Sequence, residues 1–211
     1  MLTVHHLGVS QSDKVVWLCE ELGLDYELKV YERDPVTRLA PAAYKALHPA
    51  GTAPTIQDGE VTLAESAAVF EYILGKYGNG RLTVAADAPN YADYLYWFHY
   101  AAGTVQPAML VEIIVAMLGI DRTQVAALTA RGDNAWTSLE ARLGQVPYLA
   151  GDAFTAADMM NFFTLTTGRL FVPKDLAPFP NIRAYIQRVL DTTKARAALA
   201  KADPGLDIPF A

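Results

Sequence analysis

The sequence predicts two architectures in series: a small α/β domain built on one mixed sheet, then an all-helical domain. Three observations predict them. Up to Tyr77, short strand-like runs alternate with helical ones in the order β-α-β-α-β-β-α. Beyond Gly78, Gly80 and Pro89 the strand pattern disappears and only helical spacing is left. The chain has 211 residues, of which 52 % are hydrophobic and 19 % charged, so a sizeable core can form and wholesale disorder is excluded.

Each element has a local reason. Leu2 to Leu7 suits a buried strand that ends at Gly8. Between Ser12 and Leu22, the apolar residues Val15, Val16, Leu18, Cys19 and Leu22 recur at helical spacing, and Gly23 supplies the stop. Tyr26 to Tyr31 alternates, with Tyr26, Leu28 and Val30 on one face, which is the pattern of a strand. Ala40 to Leu47 reads as a short helix closed by His48-Pro49 and Gly51. Thr55 to Gln57 and Val61 to Leu63 form a hairpin around Asp58-Gly59. A helix from Glu65 to about Tyr77 completes this half. A helix joins the first two strands, so they should be parallel. In the second half, helices are expected over Tyr91–Leu118 (with Gly103 and Pro107 as kink points), Arg122–Leu143, Thr155–Gly168, Asn181–Leu190 and Lys194–Lys201. The first domain is expected to span residues 1–78 and the second 88–211, with the linker between them.

Composition narrows the function. With 17 Lys+Arg against 23 Asp+Glu the formal charge is −6, which offers no footprint for a nucleic-acid backbone. One cysteine excludes an internal disulfide framework and any multi-cysteine zinc site. The N-terminus lacks the basic start and apolar stretch of a signal peptide, and the most apolar run, Ala108–Ile120, is interrupted by Glu112. A cytoplasmic protein with no membrane partner is the expectation.

Three places in the first half can carry chemistry. The loop Gly8-Val9-Ser10-Gln11-Ser12 puts hydroxyls at the positive end of the first helix. They can cap that helix with help from Asp13, or receive an anion. Ala53-Pro54-Thr55 enters the hairpin through a proline. A cis bond there would turn the Ala53 backbone outward, to pair with an extended ligand as a strand would. Glu65-Ser66 opens the third helix, either as an acidic, serine-capped turn or as partner to the ammonium and carboxylate of an amino-acid head group. Other tempting residues fare worse. Cys19 sits on the apolar face of its helix and reads as a core thiol. His5 and His6 point to opposite faces of a strand, which defeats joint metal ligation. His99 reads as an ordinary packed histidine. Of Tyr94, Tyr96, Trp97, Phe98 and Tyr100, most should be structural and some could meet a flat apolar ligand.

Taken together, these segments resemble the cytosolic glutathione S-transferases, most closely the serine-type bacterial, theta-like enzymes. The resemblance is carried by Ser10 through Gly23, His48-Pro49-Ala50-Gly51-Thr52-Ala53-Pro54 and Glu65-Ser66-Ala67-Ala68-Val69. In the second half it is carried by Phe154-Thr155-Ala156-Ala157-Asp158, with Thr155 as helix cap and Asp158 at the N3 place. It implies a thioredoxin-like domain holding glutathione, a helical domain lining the second substrate's pocket, and a homodimer. It also implies conjugation of glutathione to a small apolar electrophile, with glutathione as co-substrate and neither cofactor nor metal. By residue, the activating serine maps to Ser10, with Ser12 the competing candidate. Ala53 and Pro54 would hold the cysteinyl unit, and Glu65 and Ser66 the γ-glutamyl end. Many relatives carry a lysine at the position of Thr52, where the glycyl carboxylate binds, and His48 or Gln11 could take over its part. Val9 and Tyr100 are candidates for the second-substrate pocket. The same site could instead serve a glutathione-dependent isomerase, dehalogenase or peroxidase, or a non-catalytic glutathione- or ligand-binding protein.

Overall fold

The computed structural model describes residues 1–210 and divides into two compact units. One comprises residues 1–82 with 192–207, the other residues 83–191 with the C-terminal residues from Ile208. The first unit holds β1 (Leu2–Leu7), α1 (Asp13–Leu22), β2 (Tyr26–Tyr31), α2 (Ala42–Lys45), β3 (Thr55–Asp58), β4 (Val61–Ala64) and α3 (Ser66–Tyr77). The second holds α4 (Tyr91–Tyr100), α5 (Gln106–Met117), α6 (Ala126–Leu143), α7 (Ala156–Leu165) and α8 (Pro180–Thr192). A last helix, α9 (Ala195–Ala202), groups with the first unit, although its sequence reads as the end of the helical half.

The four strands form one mixed sheet in the order β2-β1-β3-β4. β1 runs parallel to β2, pairing Leu2 with Tyr26 and Leu7 with Tyr31, as a helical crossover requires. β3 is antiparallel to both β1 and β4. Gly59 takes φ +62° in the tight β3–β4 turn, a conformation that favours glycine. β1 is central and buried along its whole length, whereas β2 is an edge strand. Position explains why the alternation expected for β2 does not become a buried face: Val30 remains 54 % exposed because nothing covers that end of the edge. The helix expected over Ala40–Leu47 shrinks to the single turn of α2.

α1 buries Val15, Val16, Trp17, Leu18, Cys19 and Leu22, and closes at Gly23 in the left-handed conformation. α9 packs against α1 and buries Leu199 together with Ala195, Ala198 and Ala202, small residues that let the two backbones approach. Lys201 pairs with Glu20, and the Lys194 backbone N–H donates to Glu21. Those contacts are what draw residues 192–207 to the first unit.

In the helical unit, the predicted long helix is α4 and α5 joined by a π-helical turn over Ala101–Val105. That turn absorbs Gly103, and Pro107, which has no N–H to give, leaves the Gly103 carbonyl to accept from Arg131 Nη2 at 2.7 Å. Tyr91–Met117 is long and apolar enough to cross a membrane by length and composition alone. However, it carries Asp93 and Glu112, and it turns Tyr94, Trp97, Phe98, Ala101, Val105 and Ala108 to the core. α7 is buried on every side, which the near-continuous apolar run Ala156–Leu165 permits.

α7 begins with the capping box expected from its sequence. The Thr155 backbone N–H donates to Asp158 Oδ2 at 2.8 Å. Asp158 Oδ1 also accepts from the Leu149 N–H at 2.8 Å and from the Tyr185 hydroxyl at 3.1 Å. Burial pushes this carboxyl up to about 6, against the hydrogen bonds from Leu149, Thr155 and Tyr185 that pull it down. A carboxyl raised in the folded state contributes stability that is complete below the unfolded value of about 4 and is lost as pH rises through about 6. Asp158→Ala should cost about 2–4 kcal/mol in urea unfolding, because it leaves several buried donors unpaired. The fall in wild-type stability between pH 4 and 6, taken relative to Asp158→Asn, should measure the titration of this one group.

Candidate functional site

Strand register assembles the site. Thr55 stands opposite His5 on one side and Ala64 on the other, so the end of β1, the start of β3 and the end of β4 share one end of the sheet. Segments 8–12, 53–54 and 65–66 emerge there, which are the three places the sequence singled out.

The first segment leaves β1 at Gly8, whose N–H donates to the Tyr31 carbonyl at 3.0 Å. Val9 takes φ +51°, a left-handed conformation that a β-branched residue rarely adopts. It is held from both sides. Its N–H donates to Asp203 Oδ1 at 3.0 Å, and Arg33 donates from Nη2 to the Val9 carbonyl at 3.1 Å and from Nε to the Gly8 carbonyl at 2.8 Å.

Beyond Val9 lies a buried polar chain. Ser10 Oγ is 2.8 Å from Ser12 Oγ, which is 2.9 Å from His6 Nδ1. On the other side of the ring, His6 Nε2 is 3.2 Å from Asp203 Oδ1, at ion-pair distance but off the line of a hydrogen bond. Ser12 and His6 are fully enclosed, while Ser10 keeps 6 % of its surface exposed and ends the chain on the outer side. Ser10 donates to the Leu7 carbonyl at 2.6 Å, and the Leu7 N–H donates to Ser12 Oγ at 3.0 Å. Ser12 is the N-cap residue of α1, yet its side chain makes no capping bond. Ser10 Oγ accepts the Ser12 N–H at 3.3 Å, so the capping-type bond at the entry to α1 falls to Ser10. Both hydroxyls also turn back toward β1, where His6 and the Leu7 backbone need partners.

A second cluster forms on Gln11. Its Oε1 accepts from Lys14 Nζ at 2.9 Å and from Ser66 Oγ at 3.1 Å, joining the start of α1 to the start of α3. Lys14 is 1 % exposed, and burial pushes its ammonium down to about 7 although Asp13 pulls the other way. Glu65, immediately before Ser66, is exposed at φ +75°.

The Ala53-Pro54 bond is cis, with Pro54 buried and Ala53 half-buried. Thr52 is exposed, and its carbonyl accepts from the Thr55 hydroxyl at 3.1 Å. His48 holds its own turn, with Nδ1 accepting the Ala50 N–H at 3.1 Å. Val9 and Tyr100 belong to different units, and Tyr100 stacks on Tyr96 at a centroid distance of 5.2 Å. Tyr94, Trp97 and Phe98 are core residues, whereas Tyr96 is 54 % exposed. Burial pushes the Cys19 thiol up to about 12, which suits a core residue and not a nucleophile. His5 is spent on Tyr31 and Gln57, on the face opposite His6. Among the described residues no group of three or more His, Cys, Asp or Glu is placed to hold a metal.

Four residues of this region carry roles the sequence does not announce: His6 reads only as a metal ligand, Lys14 as a motif position and Asp203 as part of the C-terminal tail, and Arg33 carries no signal. The alternation of β1 puts His6 on the face opposite His5, but nothing local announces a partner 197 positions away.

Comparison with known proteins agrees with this layout. Residues 10–74 match the model of the glutathione S-transferase N-terminal domain, and residues 105–192 that of the C-terminal domain. Glutathione S-transferase 3 of Schizosaccharomyces pombe is 31 % identical over 96 % of this chain and 88 % of its own. The crystal structure of a glutathione S-transferase from Actinobacillus pleuropneumoniae superposes with a TM-score of 0.84 and 34 % identity, covering 95 % of this chain and 92 % of that one. A sphingomonad glutathione S-transferase complexed with glutathione shares the fold, with a TM-score of 0.76 at 22 % identity over 95 % of this chain and 98 % of its own. Two domain models matched in order, and relatives that align from end to end, place this chain in the glutathione S-transferase family of enzymes.

Proposed function

We propose that the protein is a serine-type, theta-like transferase that conjugates the thiolate of glutathione to a small apolar electrophile, a detoxifying reaction of the cytoplasm. In this reading residues 1–78 hold glutathione and residues 88–211 receive the second substrate. Neither metal nor cofactor takes part. The observation that carries it is Ser10 at the outer end of the buried chain Ser12–His6–Asp203, beside the N-terminus of α1.

The task is to ionise a thiol. A free cysteine thiol has a pKa of about 8.5, and lowering it by two units takes about 2.7 kcal/mol. One hydrogen bond to a charged group supplies about 1.5–3 kcal/mol, and a helix N-terminus about 0.3–1. Ser10 and α1 together are sufficient. Ser10 acts as a donor to sulfur and not as a base. The thiolate then attacks the electrophilic carbon, an S–C bond forms, and the leaving group departs with its electron pair.

For this Ser10 must release the Leu7 carbonyl, to which it now donates. Ser12 Oγ lies 3.4 Å from the same carbonyl and can take over that bond. It does so when His6 donates from Nδ1, because Ser12 then accepts from the ring and its own hydrogen is free to turn. Ser12 in this scheme is a support and Ser10 the contact. At the other end of the ligand, Gln11, Ser66 and the Lys14 charge suit the γ-glutamyl carboxylate, and Glu65 its ammonium. The Ala53 backbone pairs with the cysteinyl unit beside Pro54, and Thr52 with His48 meets the glycyl end without a formal charge. Val9 and Tyr100 are the residues proposed for the second substrate. The sphingomonad relative complexed with glutathione supports the choice of ligand. Leu110, Ile114 and Met117 form an exposed apolar stripe at i, i+4 and i+7 on α5, which suits a second copy of the chain.

A second reading follows from Thr52. Without the lysine that many relatives carry there, the protein could bind glutathione weakly and act as a ligand carrier. The related isomerase, dehalogenase and peroxidase reactions would use the same thiolate.

Ultraviolet titration of the glutathione complex tests the thiolate directly. In Ser10→Ala the bound thiol should ionise about one to two pH units higher and kcat should fall about 10- to 100-fold, with KM for glutathione nearly unchanged. Full activity in that variant, with Ser12→Ala inactive, would transfer the role to Ser12. Asp203→Asn, which weakens the hold on the Val9 N–H and so on the loop that carries Ser10, should lower kcat about three- to ten-fold, again with little change in KM. Sedimentation of wild type against Ile114→Glu should show a dimer giving way to a monomer.

A further inference from the structure

We propose that Arg33 is a positioning residue of the transferase: its guanidinium holds Val9 in the left-handed conformation, and that conformation places the Ser10 hydroxyl. The inference rests on Ser10 as the contact to sulfur.

The chain turns between β1 and α1 at an unfavourable residue. Val9 takes φ +51°, while Gly8 beside it, which could adopt such a conformation without strain, does not. A β-branched side chain tolerates that region poorly, and it stays there only where the surroundings enforce it. Relaxation to an ordinary conformation would turn φ by more than about 100° and redirect the chain from Ser10 onward.

The bonds around Val9 oppose that rotation. A residue's two dihedrals are fixed once the peptide planes before and after it are fixed. The Gly8–Val9 plane is held at both ends: its N–H donates to Asp203 Oδ1 at 3.0 Å, and its carbonyl accepts from Arg33 Nε at 2.8 Å. The Val9–Ser10 plane is held through its carbonyl, which accepts from Arg33 Nη2 at 3.1 Å. Arg33 therefore grips both planes at once, which the planar fork of a guanidinium permits and the single nitrogen of a lysine does not.

Arg33 is fixed in its turn. Its Nη1 donates to the Arg38 carbonyl at 2.9 Å. Asp34 closes the intervening turn by accepting the Val36 and Thr37 N–H groups at 3.0 and 2.7 Å and the Thr37 hydroxyl at 3.0 Å. The exposed segment 34–38 is thereby a frame for the guanidinium. Beyond Val9, Ser10 Oγ lies 2.6 Å from the Leu7 carbonyl and 2.8 Å from Ser12 Oγ, contacts that leave little tolerance for a shift of the backbone.

The test uses Arg33→Lys, Asp34→Ala, Val9→Gly and the double variant Val9→Gly/Arg33→Lys of the full chain. The readouts are kcat, KM for glutathione, ultraviolet titration of the bound thiol, and amide exchange followed by NMR. Arg33→Lys keeps the charge and loses the fork. It should lower kcat about ten-fold and raise the pH of thiol ionisation, with KM for glutathione nearly unchanged. Its Val9 N–H should exchange at least about ten-fold faster while the amides of β1 keep their protection. Asp34→Ala alters only an exposed turn and should give the same signature at about two- to three-fold, so the test survives a failure of Arg33→Lys to fold. Glycine enters the left-handed region without strain, so in the Val9→Gly background Arg33→Lys should cost at most about two-fold. Wild-type kcat and Val9 exchange in Arg33→Lys would overturn the inference. So would an undiminished loss in the Val9→Gly background, or faster exchange throughout β1, which would mark a general structural role. Failure of the Ser10 reading shows itself separately, as full activity of Ser10→Ala alongside faster Val9 exchange in Arg33→Lys.

Discussion

β1 is hydrogen-bonded along both edges, to β2 on one side and β3 on the other, and the organisation of the first unit follows from that placement. A central strand six residues long is buried on both faces, so every polar side chain it carries must find a partner inside the protein. Thr3 finds Glu27, His5 finds Tyr31 and Gln57, and His6 finds Ser12 with Asp203 close by. The last of these decides the site. Because His6 faces the helix that follows β1, the loop between them is drawn into a network that starts with an enclosed imidazole and ends with Ser10, which keeps 6 % of its surface exposed.

Such a network is unusual to retain if stability alone is at stake. Enclosed polar groups match an apolar core only when all are paired, and Lys14 adds a buried cation whose ammonium is pushed down to about 7. The left-handed backbone at Val9 adds strain, and three groups hold it: the Asp203 carboxylate and two guanidinium donors of Arg33. Strain, a buried charge and a polar chain all meet at the residues between β1 and α1. That concentration is what motivates the reading of this segment as the site proposed above, with the helix N-terminus beside it as a source of positive field.

Legibility in the sequence followed the range of the interactions. The capping box of α7 was readable because Thr155 and Asp158 are three residues apart and act through their own backbone. The hairpin at Asp58-Gly59 and the close of α1 at Gly23 were readable for the same reason. The kink between α4 and α5 was expected at Gly103 or Pro107, but its form, a π turn, depends on how the helix packs. α9 illustrates the limit. Its own amphipathic pattern predicted the helix, while its grouping with α1 rests on Glu20–Lys201 and on a small-residue face, a pairing between segments some 180 positions apart.

The sequence by itself determined the element order, the passage from α/β to all-helical near residue 80, and the three candidate segments that meet at one end of the sheet. Hydrophobic period, turn residues and caps are all local, and each acts within a few residues. Only the tertiary structure decided that the Ser10 and Ser12 hydroxyls turn toward β1 and His6, that Gln11 joins Lys14 to Ser66, and that Asp203 returns from the far end of the chain to Val9 and His6. Those choices depend on which donors and acceptors burial brings within about 3 Å of one another, and that is settled by the register of the sheet and the docking of α9, not by neighbours along the chain.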